Sequence, residues 1–176
     1  MEPESILVEN LRTALDRIER YMIFGIGSSL FLVILGTAAP ELAKTGEGVE
    51  IPGGFISTEP RIVAAVVLAA YWVAGLMASY TVSRAERIVK TLKKSPEILE
   101  AALTYPSIAT TKIYYPRIGA ALLPPALLLI ALAIEGGWPK SYYSVLGFLI
   151  LLTPYITLAF QLRVSVGGYK SDKFGD

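Results

Sequence analysis

The sequence predicts an all-α membrane protein, a four-transmembrane-helix bundle made of two helical hairpins with amphipathic cytoplasmic helices. Three observations predict it. Four runs, 21–39, 62–82, 118–134 and 142–162, contain no Asp, Glu, Lys, Arg or His. At roughly 1.5 Å rise per residue, each crosses or nearly crosses a hydrocarbon core of roughly 30 Å. The chain is 53% hydrophobic and only 18% charged, with mean hydropathy +0.54. Finally, thirteen of the sixteen cations fall on one side of a four-span chain: Arg12, Arg17, Arg20, Arg84, Arg87, Lys90, Lys93, Lys94, Lys112, Arg117, Arg163, Lys170 and Lys173. Lys44, Arg61 and Lys140 fall on the other. The positive-inside rule then puts both termini and the 83–117 connector in the cytoplasm, with the bundle in the cell (plasma) membrane.

Too little polar chain remains between the runs for a separate soluble domain, so residues 1–176 read as a single integral membrane domain. Residues 1–20 form an N-terminal cytoplasmic amphipathic helix. Leu7, Leu11, Ala14 and Ile18 make one apolar stripe, Arg12, Asp16 and Arg20 make i,i+4 pairs on the polar side, and Ser5 is a candidate N-cap for a start placed to within a turn. Packing within the chain is the expected outlet for the stripe, ahead of the membrane surface or a second copy. Glu2, Glu4, Glu9, Asp16 and Glu19 argue against a cleavable signal peptide.

After the first span, 21–39, the outer loop 40–61 carries Val49–Ile51 and Phe55–Ser57 around Pro52-Gly53-Gly54, the pattern of a small β-hairpin. Its acids, Glu41, Glu47, Glu50 and Glu59, have no EF-hand spacing and read as solvated loop groups. The second span, 62–82, continues into the connector through Arg84–Leu92. Ser95-Pro96-Glu97 then restarts a helix, with Ser as N-cap, Pro in the first turn and an acid near the helix dipole. Ile98, Leu99, Ala102 and Leu103 give it an apolar face, and Tyr105-Pro106 ends it. Spans 118–134 and 142–162 are separated only by Glu135–Ser141, with Gly136, Gly137, Trp138 and Pro139 in the turn, so they are antiparallel neighbours. Residues 163–176 form a cytoplasmic tail. Tyr21, Tyr114, Tyr115, Trp138, Tyr142 and Tyr143 fall where aromatic belts belong.

The missing residue types bound the chemistry. With no Cys and no His, thiol redox, disulfides, His-ligated metals and His- or Cys-based catalysis are excluded. Net charge +1 gives no case for nucleic acid, and no metal or cofactor is expected. Asn10 and Gln161 are the sole amides, which fits a thermophilic prokaryote and equally fits the low amide use of membrane chains.

Three sets of residues are candidates for function. Gly25 and Ser29 on the first span, with Ala70, Ala74 and Ala78 on the second, make small faces that let helices approach closely. Pro124 and Pro125, and then Pro154, interrupt the second hairpin and free carbonyls near Ala120, Ala121 and Ile150; with Thr153, Tyr155 and Thr157 they would line a pore or ligand site. Lys90, Lys93 and Lys94 lie where anionic lipid headgroups are reached. No run holds a carboxylate near its middle, so ion-coupled transport is disfavoured.

The expected role is therefore a non-catalytic structural or accessory subunit of a membrane assembly, partnered by the lipid bilayer and by other membrane subunits or copies of itself. The alternative is a small channel or uncoupled transporter that uses the proline-broken hairpin. The orientation is tested with single cysteines introduced into this cysteine-free chain. In intact cells an impermeant thiol reagent should label Gly48→Cys and leave Ser95→Cys unlabelled; the reverse pattern would invert the topology.

Overall fold

The computed structural model describes residues 3–45, 49–50, 57–103, 114–134 and 142–164. Among them are five helices and one short β-pair: α1 (Pro3–Thr45), β1 (Val49–Glu50), β2 (Ser57–Thr58), α2 (Pro60–Leu92), α3 (Pro96–Leu103), α4 (Tyr114–Ile134) and α5 (Tyr142–Val164). β1 and β2 are antiparallel, pairing Val49 with Thr58 and Glu50 with Ser57, so the pairing sits one residue further along the second strand than the sequence pattern places it. The Pro52-Gly53-Gly54 turn, Tyr105-Pro106, the 135–141 turn and the 165–176 tail lie outside the described residues.

Three helices are long and apolar enough to cross a membrane, within Ser5–Ala38, Pro60–Leu92 and Val145–Leu162. The expected third span, Ile118–Ile134, is a shorter apolar helix that falls below that length. The outward faces match this composition. Every large hydrophobic residue exposed among the described residues, Ile6 excepted, lies in one of the four uncharged runs. A soluble monomer rarely shows more than a few hundred Å² of contiguous apolar surface.

α1 differs from expectation. Where the sequence divides into a cytoplasmic helix to residue 20, a span from 21 to 39 and a loop from 40, the structure has one helix of 43 residues. Its length is about 65 Å at 1.5 Å per residue, which exceeds the roughly 40–45 Å of a whole bilayer, so part of it must project beyond. The change at Arg20–Tyr21 is one of polarity and not of backbone, because no Gly or Pro stands between Pro3 and Gly25. At the other end, a single proline costs a helix one backbone bond. Good helix formers on both sides, Ala38, Ala39, Glu41, Leu42 and Ala43, carry α1 through Pro40.

α2 begins with Pro60 in its first turn, where a missing N–H costs nothing, and the amides of Ile62 and Val63 bond the Glu59 carbonyl at 3.0 and 3.2 Å. It runs unbroken through Arg84 to Leu92. Bonds from Lys93 N to Val89 O and from Ser95 N to Leu92 O close it, and Leu99 N bonding Ser95 O at 3.1 Å opens α3, as the Ser-Pro-Glu signal predicts.

α1 packs on α2 and α4, α5 packs on α2 and α4, and α3 lies against α1 and α2. The N-terminal stripe is spent inside the chain: Leu11, Leu15, Ile18 and Met22 are fully buried with Val82, Ala85, Val89, Leu92, Leu99 and Ala102 in one continuous core. Since many of these residues lie beyond the uncharged runs, that core extends past the apolar zone.

Continuity of α1 is directly testable at Arg20, which is exposed and contributes little packing. Arg20→Pro should destabilise by about 3 kcal/mol, against a near-neutral Arg20→Ala, when thermal unfolding is compared in nanodiscs. Equal midpoints for the two variants would mean that the helix is broken there.

Candidate functional site around Pro154 and Tyr155

Pro154 stands inside α5 and lacks the N–H that would meet the Ile150 carbonyl one turn earlier. That carbonyl finds another donor, the indole Nε1–H of Trp72 on α2, at 3.1 Å. The Pro154 carbonyl in turn accepts from Ser79 Oγ at 3.1 Å, and Gln161 Nε2 donates to Ser83 Oγ at 3.0 Å. The partners ascend together, 72, 79, 83 on α2 and 150, 154, 161 on α5, so the two helices run parallel along a hydrogen-bonded seam.

Tyr155, the next residue, is fully buried and points between α1 and α2. Its hydroxyl donates to the Tyr71 carbonyl at 3.3 Å, and its ring lies 4.6 Å from that of Tyr71 at an interplanar angle of 31°. Two glycines make room for it. A Cβ at Gly25 would overlap the Tyr155 hydroxyl, and a Cβ at Gly75 would lie 2.7 Å from Tyr155 Cε2 and 2.8 Å from Pro154 Cβ. The Gly25 notch is thus occupied by an aromatic side chain from α5. Ser29, one turn on, is buried and donates to the Gly25 carbonyl of its own helix at 2.8 Å. Ala74 and Ala78 are buried and Ala70 is half-buried.

The hydroxyl-bearing residues expected beside Tyr155 do not join it. Thr153 and Thr157 are exposed on the outer side of α5, and Thr153 Oγ1 donates to Leu149 O at 2.7 Å in its own helix. Pro124 and Pro125 are buried within α4, which continues through both. Of the lysines, Lys90 forms an ion pair with Glu86 at 2.9 Å one turn earlier, while Lys93 and Lys94 are exposed at the end of α2.

The centre therefore offers phenols, an indole, hydroxyls and backbone carbonyls. These groups can hydrogen-bond and pack, but they do not exchange protons near neutral pH. Among the described residues no group of three or more acidic, His or Cys side chains could hold a metal ion. Sequence reasoning locates the freed Ile150 carbonyl but misses Trp72 as its donor. A tryptophan in a span beside a proline-bearing helix is the available signal, since a buried indole seeks an acceptor.

This pairing predicts a specific coupling. Trp72→Phe should cost about 1–2 kcal/mol by orphaning the Ile150 carbonyl. With Pro154→Ala, the restored amide serves that carbonyl, so the same Trp72→Phe change should cost less than half as much. Additive losses in a double-mutant cycle, read from unfolding in bicelles, would mean that the two residues are uncoupled.

Comparison with known proteins finds no matching family model, no matching curated protein and no matching solved structure.

Proposed function

We propose that this chain is a four-helix membrane bundle of two parallel hairpins, and that it acts as a non-catalytic structural or accessory subunit of a membrane assembly, as a homo-oligomer or within a larger complex. Both termini lie in the cytoplasm on this reading. The ring of contacts α1–α2–α5–α4 and the parallel α2–α5 seam support the bundle. The outward apolar residues of α4, Leu122, Leu123, Ile130 and Ile134, support its placement as a fourth span.

One observation carries the functional reading. The break at Pro154 is closed from within: Trp72 and Ser79 meet the carbonyls on either side, and Tyr155 fills the space between the helices. A carbonyl engaged by its own chain is not offered to a solute. Midspan sites in transporters need unwound backbone that lines a cavity. By contrast, Gly27, Gly119 and Gly147 are exposed glycines where an added Cβ would meet nothing within 4 Å. They serve no packing inside the bundle, and small outward residues are where a neighbouring helix comes close in lipid.

Size measurement in mild detergent or nanodiscs is the test. The expected species is larger than a single 19.0 kDa chain, or it carries co-purifying subunits. Gly27→Leu and Gly147→Leu should reduce it to single chains without lowering the unfolding midpoint. Reconstituted liposomes should show no ion or small-solute flux above empty ones. A monodisperse single chain with flux altered by Tyr155→Phe would replace this reading with the channel.

A further inference from the structure

Near the cation-rich end of the molecule, α1 and α2 separate to leave a cleft of about 210 Å³, lined by Asn10, Thr13, Arg17 and Tyr21 from one helix and by Tyr80 and Arg84 from the other. The lining follows the helix period, with Arg17 and Tyr21 one turn apart on α1 and Tyr80 and Arg84 one turn apart on α2. Ala14 and Thr81 are the buried members of the lining, so small side chains form the floor. The Thr81 hydroxyl is turned away from the cleft's needs, donating to Met77 O at 2.6 Å.

The electrostatics have one sign. No carboxylate lines the cleft. Among the described residues, neither Arg17 nor Arg84 has an ion-pair or hydrogen-bond partner. Two arginines lining one cleft from separate helices bring like charges to the same space, which an anion bound there would offset. Their planar forks match the oxygens of a phosphate, which accepts two parallel bonds from each. Asn10, Thr13 and the two tyrosines add neutral donors around the rim. The volume lies below the roughly 300–1,000 Å³ of drug-sized sites and suits a small charged group.

Depth and shape narrow the source. Tyr21 opens the first uncharged run, and Tyr80 lies two residues before the end of the second, so the cleft stands where the apolar zone stops. In a bilayer that is the level of the headgroup phosphates. Met77, which also lines the cleft, and Val73 one turn before it are exposed, leading from the cleft onto the outward apolar face. We propose that this cleft binds a phosphate-bearing anion, with Arg17 and Arg84 clamping it from two helices. A phospholipid headgroup whose acyl chains follow Val73 and Met77 is the source that this shape fits, and free phosphate is the other carrier of the same chemistry. The site is separate from Lys90, Lys93 and Lys94, which do not line it.

The test uses the whole protein in a neutral detergent at fixed ionic strength, with the unfolding midpoint as readout, so assembly state does not enter. Dioctanoyl phosphatidylglycerol is titrated in one arm, inorganic phosphate in a second, and dioctanoylglycerol, which lacks the phosphate, in a third. Expected is a saturable rise with phosphatidylglycerol and none with dioctanoylglycerol. Arg17→Gln and Arg84→Gln should each raise the half-saturating concentration about tenfold or more, as loss of a charge-assisted bond implies. Arg84→Lys keeps the charge without the fork and should give a smaller, several-fold loss, which guards against a Gln variant that fails to fold. The Arg87→Gln, Lys94→Gln double variant removes two nearby cations outside the cleft and should bind as the parent does. Saturation by inorganic phosphate with the same arginine dependence, and no further gain from the lipid, would assign the site to the free anion. No saturable response in the lipid and phosphate arms, a response indifferent to Arg17 and Arg84, or equal weakening by the outside pair would overturn the proposal.

Discussion

A proline in the middle of an apolar helix leaves a carbonyl that water cannot reach, and in hydrocarbon that group costs several kcal/mol unless a donor is found. The donor here is Trp72, so the penalty of Pro154 becomes a bond between α2 and α5. The consequence reaches beyond one contact. Once Trp72 meets Ile150, Ser79 falls opposite the Pro154 carbonyl and Ser83 opposite Gln161, and the register of the two parallel helices is fixed over more than two turns. Lipid supplies no hydrophobic force to press helices together, so register must come from hydrogen bonds and shape.

Shape is supplied by Tyr155. Its bond to the Tyr71 carbonyl, at 3.3 Å, is long beside the usual 2.7–2.8 Å for a hydroxyl donor, and holds less than the fit of the ring itself. The ring occupies a slot cut by Gly25 in α1 and Gly75 in α2, which brings three helices into contact through one side chain. Dispersion across such a fit is what remains when water is absent, and it falls quickly with a small gap. Volume at Gly25 and Gly75 is therefore more tightly limited than at Ala70, which is only half-buried.

Much of this fold is legible in the residues. Uncharged runs, the Ser95-Pro96-Glu97 restart and the Leu7–Leu11–Ala14–Ile18 stripe each act through neighbours in sequence, and each has its counterpart in the helices and the core. The extent of α1 is less legible because polarity changes at Tyr21 while helix propensity does not. Gly25 can be recognised as a site of close approach, but not which atom approaches, since Tyr155 is 130 positions away and its placement depends on the whole ring of helices. The cleft at Arg17 and Arg84 is hidden for the same reason. Each arginine counts as one more positive-inside charge until two helices bring them to the lining of one cleft.

The core that joins Leu11 and Leu15 at one end to Leu32 towards the other has a mechanical consequence. Helices bound only by lipid can each tilt to suit the local thickness of the bilayer. These share side chains throughout that length, and α2 and α5 are pinned in register, so they tilt as one body. With α1 extending about 65 Å, a few degrees of rotation at the apolar belt displaces its projecting end by about 2–3 Å, through the lever arm alone. In a body that tilts to match the bilayer, membrane thickness would set the position of the charged end without any change of fold.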